Sequence, residues 1–285
     1  MKVTKGLKKA VSADPSILTL GTFDGVHKGH KKIISRLISE AKEYNLKTII
    51  LTFFPHPRSI ISDDKNIKSI NTLDEKIEIF GQLGLDELII QNFDKSFSEM
   101  SADEFIELIV NNLNLKKIIV GYNHRFGKNR SADIQVLKKF SLKYDFEVIE
   151  IKAFEIEKIK ISSTKIRNSI NDGNIDICNN YLGYNFNIKG EVVKGKKIGK
   201  SIGFPTANIR IDEKYKILPK NGVYIVTCFV DKEKHFGMLN IGYNPTFGLN
   251  EKTIEVNIFD FNKDLYGKIL KIDFLKFIRN EIKFD

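Results

Sequence analysis

Cysteine is scarce in this sequence, and its two cysteines, Cys178 and Cys228, lie far apart. They form no CxxC pair and have no histidine cluster beside them, which argues against a disulfide framework and a zinc site. The chain also lacks a long apolar run. The apolar segment that begins at Ile17 is broken by Gly21 and Asp24, so it is too short for a signal peptide or a membrane span. We therefore expect a cytoplasmic protein.

Acidic residues are outnumbered by basic ones, 36 against 46, and the net charge is +10. This excess keeps nucleic-acid binding open as an alternative function. The charge is nevertheless spread over both parts of the chain, without a basic tail or an arginine-rich block. A modest positive field also suits small polyphosphate ligands, which are strongly anionic.

The first half of the 285 residues alternates between short β-branched runs and longer amphipathic ones. We predict strands at ILTLG, TIILTF, ELIIQN, KIIVGY and FEVIEI, with helical patterns between them. Two of the helices should open with capping boxes, Thr72 with Glu75 and Ser101 with Glu104. Strands that alternate with helices indicate an α/β fold with a doubly wound parallel sheet.

The pattern changes after about residue 154. ISSTKIRNSINDGNIDICNNYLG predicts two short helices that end at Gly183, and strand-like runs follow: NIKGEVV, GVYIVTCFV, HFGMLNIG and IEVNIFDF. These runs are separated by glycine-rich or polar turns, which favours a small antiparallel β-barrel. We therefore predict two domains, residues 1–184 and 185–285.

The turn after the first predicted strand, GTFDGVHKGH, carries the most distinctive chemistry. It matches neither the phosphate loop GxxxxGK[ST] nor the dinucleotide pattern GxGxxG. Instead, His27 and His30 stand three apart at the start of a helix. Two donors at the positive end of a helix dipole can stabilise charge on a phosphoryl group in transit. A purely structural histidine pair or a metal-binding pair stays open on spacing alone.

Several segments together resemble one known family. GTFDGVHKGH resembles the HxGH signature of the nucleotidyltransferase superfamily, and its TFDGVH part is similar to that of bacterial bifunctional riboflavin kinase/FAD synthetases. FFPHPR, GYNHRFGKNR and ISSTKIR are similar to the adenylyltransferase motifs of that family. GKKIGKSIGFPTANI and GMLNIGYNPTFG resemble its riboflavin kinase module. The resemblance extends along nearly the whole chain.

The resemblance implies two sites. In the first, His27 and His30 are catalytic, and ISSTKIR contacts the ATP phosphates, although its residues alone also suit an ordinary helix cap. The ATP and phosphate contacts implied for this site are Gly21, Phe23, Asp24, Gly29, Asn123, Ser162, Ser163, Thr164 and Arg167.

In the second site, the PTAN element holds ATP and Mg²⁺, with Thr206 and Asn208 as the metal ligands. Glu255 matches the catalytic carboxylate of the family. Strand alternation puts it on the face opposite Ile254 and Val256, where a solvated carboxylate is the alternative. The ATP, magnesium and flavin contacts implied for this site are Gly203, Pro205, Thr206, Asn208 and Arg279.

The implied function is flavin cofactor synthesis. A riboflavin kinase domain, residues 185–285, would convert riboflavin and ATP to FMN, and an FMN adenylyltransferase domain, residues 1–184, would convert FMN and ATP to FAD and pyrophosphate. We expect ATP as co-substrate, Mg²⁺ as cofactor, FMN and FAD as products, and no nucleic-acid or membrane partner, while a homo-oligomer stays open. The alternatives are a nucleotidyltransferase with a different phosphate acceptor and an RNA-binding protein.

Three features depart from the family pattern. Lys200 stands where the family has arginine, so a bidentate phosphate fork becomes a point charge. His124 replaces an aromatic residue and changes the polarity of that pocket wall. The family usually continues beyond the KF element into a helix, so we expect a less covered flavin site in a chain that stops at Asp285.

Overall fold

The computed structural model describes residues 1–62, 67–121, 124–151, 155–156, 159–195, 205–231, 233–243 and 252–281. Its contacts divide the chain into two compact units, Met1–Ser162 and Ser163–Asp285. The predicted boundary near residue 184 lies inside the second unit. As a statement about which segments each activity requires, that boundary stays a prediction.

The first unit is built on a six-stranded sheet in which every described pairing is parallel. Its strands are β1 (Lys2–Lys5), β2 (Ser16–Leu20), β3 (Lys47–Phe54), β4 (Glu87–Asn92), β5 (Leu115–Gly121) and β6 (Glu147–Ile151), in the spatial order β1-β4-β3-β2-β5-β6. The helices are α1 (Lys28–Tyr44), α2 (Pro57–Ile61), α3 (Leu73–Gly81), α4 (Lys95–Ser98), α5 (Ala102–Leu113) and α6 (Ile134–Tyr144). A two-stranded hairpin, β7 (Glu155–Ile156) and β8 (Ile159–Lys160), follows.

Alternate residues of the strands feed two apolar cores, one on each face of this sheet. On β2, Ile17 belongs to the core that contains Leu37 of α1 and Phe80 of α3, whereas Leu18 belongs to the core that contains Ile109 of α5. Both predicted capping boxes are present, at the starts of α3 and α5. The doubly wound parallel sheet predicted from the sequence is therefore confirmed.

The second unit begins with two helices, α7 (Ser163–Asn171) and α8 (Ile175–Leu182), and continues into a closed antiparallel barrel. The barrel strands are β9 (Asn187–Val193), β10 (Ala207–Arg210), β11 (Gly222–Val230), β12 (Glu233–Tyr243), β13 (Lys252–Ile258) and β14 (Ile269–Arg279), in the order β10-β13-β12-β11-β14-β9. The predicted barrel is confirmed. Strands β10 and β14 were not among the predicted strands.

Within the described residues, no helix combines the length and the apolar character needed to cross a membrane.

Asn179 of α8 ties this helix to the barrel. Its amide nitrogen donates to the Phe274 carbonyl at 2.9 Å, and its amide oxygen accepts the Phe186 N–H at 2.7 Å. We expect Asn179→Ala to destabilise the second unit by about 1–3 kcal/mol, because it leaves two backbone groups without partners. Hydrogen exchange in residues 269–279 measures this loss. Ile177→Ala, at an exposed position of the same helix, is the control, and an equal effect of both variants would contradict the prediction.

Candidate active sites

The first site lies at the turn between β2 and α1, at the carboxyl end of the parallel sheet. Strand β2 pairs with β3 on one side and with β5 on the other. The strands that follow β2 in the sequence are thus placed first on one side of it and then on the other, so the strand order reverses at β2. In open α/β sheets, ligands bind at the position where the strand order reverses. The turn of residues 21–27 therefore occupies the expected ligand position.

The backbone of this turn is strained. Phe23 has a φ of 45° and Val26 a φ of 32°, and the Val26 N–H donates to the Phe23 carbonyl at 3.1 Å. Residues other than glycine rarely adopt this left-handed backbone conformation, and a β-branched residue such as Val26 in it is an outlier. Such strain persists only where the surroundings enforce it, as they do at functional sites.

The rings of His27 and His30 are stacked, with centroids 3.6 Å apart and an interplanar angle of 18°. His27 caps α1, and its Nδ1 accepts the His30 N–H at 3.3 Å. A neutral His27 therefore carries its proton on Nε2, which can donate to a ligand. The Nδ1 of His30 is buried and has no hydrogen-bond partner among the described residues.

Both histidines are held neutral. Burial lowers the pKa of His27 to about 4, although Asp24 attracts a proton to it. Burial, repulsion from His27 and repulsion from Lys76 lower the pKa of His30 well below its usual range. Two neutral N–H donors at a helix N-terminus are suited to the oxygen atoms of a phosphoryl group whose negative charge increases in the transition state.

Gly29 leaves room for the stacked pair, since a Cβ at this position would lie 3.1 Å from Cε1 and Nδ1 of His27. Phe23 places its ring edge-to-face on His30, with centroids 5.2 Å apart. The Gly21 N–H donates to the Leu51 carbonyl at 3.0 Å and fixes the start of the turn. Of these three residues, named from the sequence as ATP contacts, Phe23 and Gly29 lie against the histidines, and Gly21 lies at the start of the turn.

Asp24 is buried, and its Oδ1 accepts the N–H groups of Ile70 at 2.9 Å and Asn71 at 3.4 Å. This carboxylate anchors the turn to the segment before α3. Its assignment to ATP stays a prediction.

Lys76 was missed by the sequence reasoning. Its Nζ donates to the Thr22 carbonyl at 2.7 Å, and burial lowers its pKa while attraction to Asp24 opposes that shift. One signal was available, because Lys76 shares the apolar face of α3 with Leu73, Ile77 and Phe80.

His124 follows β5 and lies near Phe126, with ring centroids 5.9 Å apart. Burial and then repulsion from Arg130 lower its pKa to about 4, and its Nε2 has no partner among the described residues.

Asn123 lies outside the described residues. Ser162 is the last residue of the first unit, and Ser163, Thr164 and Arg167 belong to α7 of the second unit, at and near the start of that helix.

The second site lies on the outer surface of the barrel, on β10 and β13. Glu255 is directly opposite Asn208 of β10 and Asn240 of β12, so the three side chains share one face. The Thr206 hydroxyl donates to Glu255 Oε2 at 3.4 Å. Ile254 and Val256 are buried on the opposite face, which confirms the predicted alternation.

The ends of these strands are held by close contacts. Asn257 Nδ2 donates to the Pro205 carbonyl at 2.8 Å, and a Cβ on Gly195 would collide with the side-chain amide of Asn208. Arg279 of β14 donates to the Asn280 carbonyl at 3.1 Å. Gly203 and Lys200 lie outside the described residues.

Thr206, Asn208 and Glu255 offer hydroxyl, amide and carboxylate oxygens, the hard donors that Mg²⁺ prefers. Within the described part of the chain, no group of three or more His, Cys, Asp or Glu residues could hold a metal ion. The donor set of this site therefore fits a magnesium ion that also binds a nucleotide, and does not suit a cage made of protein ligands alone.

Two family models match the chain in order: FAD synthetase over residues 9–165 and riboflavin kinase over residues 182–285. Curated relatives named bifunctional riboflavin kinase/FMN adenylyltransferase include a Bacillus subtilis protein, 38% identical over 95% of this chain and 86% of the relative. The Escherichia coli K12 protein of the same name is 34% identical over 100% of this chain and 91% of the relative. A Streptococcus pneumoniae crystal structure, titled as a macrolide-efflux protein, is 32% identical, covers 100% of this chain and 93% of its own, and has a TM-score of 0.91.

The burial of His124 makes stability depend on pH. The pKa of His124 is lowered from 6.5 to about 4 in the folded protein. Between these two pH values, His124 is therefore protonated in the unfolded chain and neutral in the folded protein. The contribution of neutral His124 to the free energy of unfolding is therefore fully present above pH 6.5 and is lost as the pH falls towards 4. One pKa unit corresponds to about 1.4 kcal/mol, so the loss of stability is at most about 3–4 kcal/mol. We expect His124→Phe to reduce the decline in the free energy of unfolding across this range, as measured by urea titration. An unchanged decline would contradict the assignment.

Proposed function

The chain belongs to the bifunctional riboflavin kinase/FMN adenylyltransferase family, and we propose that it makes FAD from riboflavin in two ATP-dependent steps, at the two sites described above. The observation that carries this function is the presence of both sites in one chain. A stacked histidine pair starts a helix in the first unit, and a carboxylate lies beside an oxygen-donor set in the second. Each lies within the family model of the matching activity.

Riboflavin phosphorylation takes place on the barrel. The terminal ribityl hydroxyl oxygen attacks the γ-phosphorus of ATP, the bond from that phosphorus to the β-phosphate oxygen breaks, and ADP leaves. The hydroxyl is neutral, so Glu255 accepts its proton as the new bond forms. The Thr206 hydroxyl, 3.4 Å from the Glu255 carboxylate, orients that carboxylate.

Magnesium would be held by Thr206 and Asn208 together with the phosphates of ATP, as their oxygen donors allow. When bound, the ion neutralises phosphate charge. Arg279, Pro205 and Gly203 complete the proposed contacts to ATP and flavin in this unit.

FMN adenylylation takes place at the histidine pair. A phosphate oxygen of FMN attacks the α-phosphorus of ATP, and pyrophosphate leaves with the bonding electrons. This nucleophile is already ionised at neutral pH, so no general base is required. His27 and His30 donate to phosphate oxygens whose negative charge increases in the transition state.

Further ATP contacts in the adenylyltransferase are proposed from the family motifs. Gly21 and Phe23 belong to the turn of residues 21–27, where Asp24 also lies, and Gly29 lies in the first turn of α1. The remaining proposed contacts are Asn123, Ser162, Ser163, Thr164 and Arg167. We propose residues 1–184 as the segment that adenylylation requires and residues 185–285 as the kinase.

The proposed partners are riboflavin, FMN and ATP, in the cytoplasm and without nucleic acid. A nucleotidyltransferase with a different phosphate acceptor would use the first site but would leave the match of residues 182–285 to riboflavin kinase unexplained. Incubation with riboflavin, ATP and Mg²⁺, followed by chromatography of the flavins, tests the function. Formation of FMN and FAD supports it, and the absence of both products would overturn it.

His30→Ala should reduce FMN adenylylation by roughly a hundred- to a thousandfold, because it removes one preorganised donor to the transition state. Riboflavin phosphorylation, assayed on the same molecules, is the internal control and should be unchanged. Loss of both activities together would indicate that His30 has only a structural role.

Glu255→Gln should reduce riboflavin phosphorylation by about a hundred- to ten-thousandfold, because glutamine keeps the shape of the side chain and removes its basicity. Conversion of supplied FMN to FAD and the melting temperature should stay near those of the wild type. A Gln variant that phosphorylates riboflavin at the normal rate would show that Glu255 is not the base.

A further inference from the structure

Lys76 of α3 is a buried cation beside the turn of residues 21–27. It is 7% exposed, and its Nζ donates to the Thr22 carbonyl at 2.7 Å. Burial of a charge is costly unless the charge is paired and hydrogen-bonded. A charged lysine on the apolar face of α3 therefore requires an opposite charge and hydrogen-bond acceptors nearby.

The compensating charge is Asp24, which is 1% exposed and attracts the Lys76 ammonium group. The Asp24 carboxylate in turn accepts backbone N–H groups of Ile70 and Asn71, just before α3. The segment of residues 70–80 thus binds the turn at Thr22 and again at Asp24.

Phe23, between these two anchored residues, has the strained φ of 45° and packs edge-to-face on Phe80 of α3, with centroids 5.8 Å apart. The Phe23 ring also contacts the His30 ring edge-to-face, with centroids 5.2 Å apart. Contacts therefore run without a break from Lys76 through the turn to the stacked histidines.

We propose that Lys76 is a positioning residue for adenylyl transfer: by fixing the Thr22 carbonyl, its ammonium group holds the strained turn, and through it His27 and His30, in reactive geometry. This inference rests on the proposed function of the histidine site. Lys76 acts through the turn and is not assigned a contact with substrate.

The charge of Lys76 also acts on His30 directly. Burial, the His27 ring and the Lys76 ammonium group together lower the pKa of His30. Loss of the ammonium group should therefore raise the pKa of His30 and disturb the stacked rings. A lysine that only stabilised the fold would have no specific effect on His30.

The test compares Lys76→Met with Lys117→Met in the full chain. Lys117 is a second buried lysine of the same sheet unit, bound to Glu40 at 2.9 Å and Glu147 at 3.0 Å, near the start of β5 and so at the opposite end of the strands. Both variants remove the charge of a buried lysine, and only Lys76→Met removes the contact with the turn.

We expect Lys76→Met to lower kcat for FMN adenylylation roughly ten- to a hundredfold, since small misplacements of catalytic groups have effects of this size. The KM for ATP should change much less, because the transition state loses more than the ground state. Riboflavin phosphorylation by the same molecules should be unchanged. Lys117→Met should lower stability and leave kcat unchanged.

Thr52→Val provides a second variant in case Lys76→Met does not fold. The Thr52 hydroxyl donates to the same Thr22 carbonyl at 3.3 Å, and valine preserves the side-chain shape. We expect a smaller fall in kcat for adenylylation, again with normal kinase activity. Normal adenylylation by folded Thr52→Val and Lys76→Met would overturn the proposal.

Histidine NMR provides a readout that does not depend on activity. The chain has five histidines, so the His30 ring signal can be assigned with a His30→Gln variant. Lys76→Met should shift this signal and raise the His30 pKa, and Lys117→Met should do neither. A His30 signal unaffected by Lys76→Met would overturn the proposal. Absence of FAD synthesis in the wild type would instead refute the proposed function, and the NMR result would still test whether Lys76 acts on His30.

Discussion

The stacking of His27 on His30 is the interaction on which the proposed adenylyltransferase site depends. Two imidazolium ions with ring centroids 3.6 Å apart would repel each other strongly, so the stack requires neutral rings, and burial supplies this condition. Neutral rings still carry N–H donors. A site built this way would bind negative phosphate oxygens through hydrogen bonds and a helix dipole, so its donors would not depend on protonation of the histidines near neutral pH.

The same constraint accounts for the strained backbone. Seven residues, 21–27, connect β2 to α1, and they must turn sharply enough to place His27 at the helix N-cap. The left-handed Phe23 and Val26 achieve this turn. Contacts from outside the turn must then oppose its relaxation, which explains why polar groups of the Ile70–Asn71 backbone and of α3 are buried against it.

Local patterns predicted most of the elements, because periodicity and capping are properties of neighbouring residues. NIKGEVV and GVYIVTCFV became β9 and β11 with the predicted bounds, and the Thr72 and Ser101 capping boxes formed. Strand β1 was missed because it is four residues long and pairs with β4, more than 80 positions away. The Lys76–Thr22 contact was missed for the same reason: its partner is a backbone carbonyl 54 residues away, and no side-chain pattern marks a carbonyl.

The barrel site shows how sheet register can bring together residues that sequence reasoning found only by resemblance. Thr206 and Glu255 are 49 positions apart, yet the pairing of Asn208 with Glu255 fixes their relative placement. A slip of one residue would turn Glu255 into the barrel interior, where an unpaired carboxylate is strongly unfavourable. Ile254, Val256 and Ile258 are buried at alternate positions of β13 and build the core. The same alternation keeps the Glu255 carboxylate on the outer surface of the barrel, beside the oxygen donors with which it would act.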